Sequence, residues 1–134
     1  MKRVIEIDGE RFSSLEEFYD EVSERLIPGA YWGRNLDAFN DILRGGFGTP
    51  DEGFILIWKN HKHSQRRLGY GETVRQLRLR LERCHPSNIP HVQSELAAAE
   101  RREGPTVFDW LVEIIQVHCA GGHEAEDNVE LALK

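Results

Sequence analysis

The chain has 134 residues, 40% of them hydrophobic and 30% charged, and carries a formal net charge of -6 at pH 7. This composition describes one globular domain over residues 1–134 and excludes a disordered chain. The mild acidity disfavours direct binding to nucleic acid and suits a basic partner.

Charge is unevenly spread. Eight acidic residues and one basic residue lie between Glu6 and Glu24, whereas eight Lys or Arg and two Glu lie between Lys59 and Arg83. An acidic front is joined to a basic middle, and runs of this kind usually form solvated helix faces. Only Val4-Ile5 separates Met1-Lys2-Arg3 from Glu6, which is too short for a signal peptide. No apolar run approaches membrane-spanning length. Cys84 and Cys119 do not make a disulfide framework and read as reduced thiols, so the expectation is a cytoplasmic protein with no membrane partner.

In chain order, Arg3 to Asp8 reads as a strand closed by Asp8-Gly9. Ser14 and Glu17 form a capping-box pattern opening a helix with Leu15, Phe18, Val22 and Leu26 on one face, stopped by Pro28-Gly29. A second helix is expected from Asn35 to Arg44. Phe54 to Trp58 is a short apolar run, read as a buried strand. Glu72 to Cys84 predicts a helix with Val74, Leu77, Leu81 and Cys84 on one stripe, ended by Pro86. Pro90 suits the start of another helix reaching about Glu103. Thr106 and Asp109 form a second capping-box pattern, and the helix they open carries Val107, Leu111, Ile114, Ile115 and His118 before Gly121-Gly122. Val129 to Leu133 alternates as a last strand. Strands separated by helices imply parallel pairing through right-handed crossovers, hence an α/β fold in which a small three-stranded parallel sheet is packed with helices.

The second helix is the most informative element. Leu36, Phe39, Ile42 and Leu43 supply an apolar face, and Asp37 and Asp41 share another with Asn40 and Arg44. Like charges four apart repel by roughly 0.2–0.5 kcal/mol. Asp37, near a cap at Asn35, is favoured by the helix dipole, whereas Asp41 lies near the disfavoured carboxyl end before Gly45-Gly46. A helix that breaks local rules this way is a candidate for function, set against the plain alternative that Asp41 pairs with Arg44 on a wet surface.

Other chemistries find less support. The six histidines and two cysteines match no zinc spacing, and Cys84 and His118 fall on apolar stripes as core residues do, so no metal and no cofactor are expected. No glycine-rich phosphate loop or Gly-x-Ser-x-Gly elbow occurs, and nothing in the sequence activates Cys119, so no enzyme is expected. The basic residues from Lys59 to Arg83 have few aromatic neighbours for stacking bases.

The segment Tyr31-Trp32-Gly33-Arg34-Asn35-Leu36-Asp37-Ala38-Phe39, followed by Asp41, Leu43 and Gly45 and then by a strand ending in Trp58, resembles the barstar family of intracellular ribonuclease inhibitors. The resemblance implies a barstar-like fold and a protein that inhibits a basic ribonuclease. In that family the second helix and the loop before it enter the nuclease active site, where their carboxylates stand in place of substrate phosphates. Carried over, Asp41 resembles the principal anchor, and Tyr31, Asn35, Asp37 and Gly45 its interface neighbours. Glu113 resembles a further acidic contact. Asn40 and Gly46 stand where founding members carry tryptophan, so Asn40 counts among the partner-binding positions with a different side chain. Residues from about 69 to 104 read as a helical insertion that could be a structural cover, a second contact surface or an element blocking the usual docking. The alternative function is an acidic-surface adaptor or an immunity protein for a partner that is not a ribonuclease.

Overall fold

The computed structural model describes residues 2–134. Strand β1 (Arg3–Asp8) is followed by α1 (Leu15–Arg25), α2 (Leu36–Arg44) and β2 (Phe54–Lys59). Helices α3 (His61–Arg67), α4 (Tyr70–Arg83), α5 (Ile89–Glu100) and α6 (Val107–Val117) then lead to β3 (Glu130–Leu133). The strands lie in the order β1-β2-β3 and both pairings are parallel, as expected. Ile5 pairs with Leu56 and Leu56 with Leu131, which fixes the register across the sheet.

One face of the sheet makes the core. Ile5, Ile7, Phe54, Leu56 and Trp58 alternate onto it and are buried. Trp58 is fully enclosed, its rings stacked on Phe18 and tilted against Phe12 and Phe108, and its indole N–H donates to Ser64 Oγ at 3.0 Å. Phe18 also meets Phe39 edge to face, so α1, α2 and β2 are locked by one aromatic cluster. The apolar run of β2 is not buried on both faces: Ile55 and Ile57 are only half-buried, and Val4 on β1 is exposed. Gly53 enters β2 at φ +91°, where a Cβ would meet the Asn128 carbonyl oxygen at 2.2 Å, so only glycine lets the chain before β3 pass this close.

Several local expectations need correction. Helix α3, His61–Arg67, has no apolar stripe to announce it. It forms because Asn60, at φ 55°, turns the chain and Ser64 is drawn under Trp58. At the start of α1, Ser14 Oγ accepts from the Glu17 N–H at 3.1 Å, but the Glu17 carboxylate reaches back to the N–H of Ser13, one residue earlier than a capping box requires. The Thr106–Asp109 box at α6 is complete. Helix α4 begins two residues before the expected Glu72, and Glu72 is buried, accepting from the Leu15 N–H at 2.7 Å and pairing with Arg75.

Helices α4 and α5 pack on each other through a second small core of Leu77, Val92 and Ala99, with Val74, Leu81 and Leu96 against it. Trp110 of α6 touches both cores. The Val107 N–H donates to Thr73 Oγ1 at 2.9 Å, a buried bond that ties α4 to α6. These helices are therefore anchored to the body at α4 and Trp110, while most of their stripe is spent on each other.

Candidate functional site

Helix α2 is shaped at both ends by the residues that the sequence singled out. Asn35 holds an extended conformation, and its Oδ1 accepts from the Ala38 N–H at 2.8 Å, satisfying one free donor of the first turn. Gly45 ends the helix at φ +112°. Phe39, Ile42 and Leu43 are buried, so the rotation of α2 about its axis is fixed. The opposite face then has no choice but to carry Asp37 and Asp41 into solvent, where both are exposed.

The two carboxylates differ in their surroundings. Asp37 has no ion-pair partner among the described residues. Asp41 pairs with Arg44 at 3.1 Å, with 55% of its side chain exposed. This is the surface pair that the spacing allows, and an exposed pair of this kind contributes only about 0–1 kcal/mol, so Asp41 stays accessible. Arg44 is held more closely by Glu124, whose Oε1 lies 2.7 Å from its Nε. That hydrogen bond is the main reason the Glu124 carboxyl sits below its ordinary range and the Arg44 guanidinium above its own.

The remaining expected residues fall into two groups. A groove of about 370 Å³ between α2 and α6 brings together Asp37, Asn40 and Glu113 with Glu124, over an apolar lining of Leu36, Trp110, Ile114 and Val117. Tyr31 stands outside this groove, before the helix, with 96% of its surface exposed. Asn35 contributes its cap and Gly45 its turn, both through the shape of α2. Asn40 is turned inward: its Oδ1 lies 2.7 Å from Nε2 of His118. On the other side of Asp37 and Asn35 a wider groove is bordered by Arg75, Arg80 and Arg83 of α4, so the basic middle of the chain flanks the acidic helix directly. Arg78 pairs with Glu100 of α5, at 3.5 Å.

Sequence reasoning missed Glu124 and Phe47. Glu124 follows the Gly121-Gly122 turn and meets Arg44 across 80 residues of chain, a proximity that no local spacing reports. Phe47 is an exposed aromatic in the glycine-rich loop after α2. His118 is fully buried, as its place on the apolar stripe suggests, with Nδ1 2.5 Å from Asp127 Oδ2. His118, Glu124 and Asp127 have the donor types of a divalent-metal site. Their atoms are already engaged with Asn40, Arg44 and each other, and the Arg44 guanidinium occupies the open side of Glu124. The arrangement fits a charged hydrogen-bond network better than a cation site.

Comparison with known proteins agrees with this fold. The profile of the family described as Barstar (barnase inhibitor) matches residues 2–108, a span that includes β1, α1, α2 and β2. The chain is 37% identical over 75 residues to a protein of Bacillus subtilis (strain 168) named putative ribonuclease inhibitor YrdF, an alignment covering 55% of this chain and 78% of that protein.

Proposed function

The chain belongs to the barstar family of barnase inhibitors, and we propose that it inhibits a basic ribonuclease by placing Asp41 and Asp37 of α2 in the phosphate-binding cleft of the enzyme. The observation that carries this reading is a rigid helix with one face in the core and two exposed carboxylates on the other. A cleft that binds RNA must present cationic and hydrogen-donating groups to phosphate. Carboxylates on a fixed backbone offer those groups charge-assisted hydrogen bonds without the entropy cost of ordering a loop. Tyr31 and Phe47, exposed at the two ends of α2, add apolar area of the kind that anchors interfaces. Asn35 and Gly45 set the pose of the helix, Glu113 extends the acidic face along the groove, and Asn40 lines that groove beside Asp37.

In this reading the protein acts by occupation and has no turnover of its own. Residues from about 69 to 104 are an insertion within a single domain, acting in the cytoplasm of the producing cell. The test is a titration of RNA cleavage by barnase and other basic ribonucleases, with a mononucleotide as competitor. Stoichiometric inhibition relieved by the mononucleotide is expected. Binding without any effect on RNA cleavage would refute the inhibitor reading and favour an adaptor or immunity protein for another kind of partner.

A further inference from the structure

Arg44 poses a problem for an acidic docking face. It stands three residues after Asp41 on the same helix, where a free guanidinium would close on that carboxylate with two N–H groups. It would also present a bare cation to a basic cleft. Neither happens. The Nε of Arg44 donates to Glu124 Oε1 at 2.7 Å, and only Nη1 reaches Asp41, at Oδ1, 3.1 Å away. Glu124 is itself fixed. Its backbone N–H donates to the Val117 carbonyl at 2.9 Å, and its Oε2 lies 3.9 Å from Nε2 of buried His118. His118 is clamped between Asp127, at 2.5 Å, and Asn40 of α2, at 2.7 Å. The carboxylate that restrains Arg44 thus lies beside the His118–Asn40 contact, next to the residue adjoining Asp41.

We infer that Glu124 is a positioning residue of the inhibitory face: it holds the Nε edge of Arg44 and so keeps Asp41 open to the partner's cation. This rests on the inhibitor reading. On docking, a cation of the ribonuclease approaches Asp41 Oδ2, the oxygen that Arg44 leaves unbonded, while the charge of Arg44 stays compensated by Glu124. Glu124, His118 and Asp127 all lie beyond residues 2–108, the span that the family profile matches.

The test uses Glu124→Gln alone and with Arg44→Ala, with barnase as the probe. Glu124→Gln should slow association at least about threefold, because Arg44 is released onto Asp41 and toward the cleft. Adding Arg44→Ala should restore the rate to the wild-type value or above. A purely structural role would instead leave the double variant as slow as the single one, and that result would overturn the inference. In the free protein, nuclear magnetic resonance should show slow exchange of the Arg44 Nε–H in the wild type and faster exchange in Glu124→Gln. The Asp41 carboxyl carbon should shift in Glu124→Gln, and in the opposite sense in Arg44→Ala. Signals unchanged by Glu124→Gln would overturn the inference whether or not barnase binds. Wild-type protein that binds neither barnase nor other basic ribonucleases, with these signals moving as stated, would count against the ribonuclease reading while leaving the hold of Glu124 on Arg44 established.

Discussion

Asn35 shows how a single side chain serves both fold and function. Its amide oxygen caps α2, and the same cap sets where the first turn presents Asp37. Asn35→Ala should cost about 1 kcal/mol of stability, the usual loss for an N-cap, read by chemical denaturation. It should also weaken ribonuclease binding by more than an equal loss of stability elsewhere, because a frayed first turn no longer presents Asp37 in a fixed pose. Glu124 makes a second prediction, on pH. Its carboxyl is held below the ordinary 4.5 chiefly by the Arg44 hydrogen bond. A depressed folded-state value means that its contribution to stability is complete above the ordinary value and is lost as pH falls through the depressed one. Asp8 behaves alike, lowered first by the Asn60 amide and then by the Glu10 N–H. Melting temperature should therefore drop as pH falls below about 4.5, and Glu124→Gln should flatten part of that drop. A slope unaltered by the substitution would show that the Arg44 pair contributes nothing in solution.

At the scale of elements, the α4–α5 pair has a core of its own. Leu77 is buried there with Val92 and Ala99, so Leu77→Ala should destabilise by about 2–5 kcal/mol. Because Trp110 joins that core to the main one, the loss should appear in a single unfolding transition, checked by following tryptophan fluorescence and helical signal together. Two separate transitions would contradict it. The elements also show what a sequence can and cannot disclose. β1 and β2 were legible as short apolar segments, Val4 with Ile5 and Ile7 and then Phe54 to Trp58, and α1 and α2 because Phe18 and Val22, and Phe39 and Leu43, follow the helical period. α3 was not, since His61–Arg67 contains no apolar residue and owes its form to Ser64 bonding Trp58. The candidate site divides in the same way. Asp37 and Asp41 can be read from helical spacing, whereas Glu124 enters only through a contact 80 residues away.

For the whole molecule, the decisive property is the arrangement of charge. The acidic face of α2 is flanked on one side by Glu113 and Glu124 and on the other by the arginines of α4. Association with a basic ribonuclease should slow as salt rises, with dissociation changing less, since screening acts on the approach of the two faces. Equal effects of salt on both rates would argue against steering. The central claim, that α2 is an acidic stand-in for RNA phosphate, is tested most directly by calorimetric titration of barnase with wild-type protein and with Asp41→Ala. Asp41→Ala should weaken binding by at least about 2 kcal/mol, and Asp37→Ala by less, while stability stays within about 0.5 kcal/mol of wild type. Wild-type binding left unchanged by Asp41→Ala would contradict it.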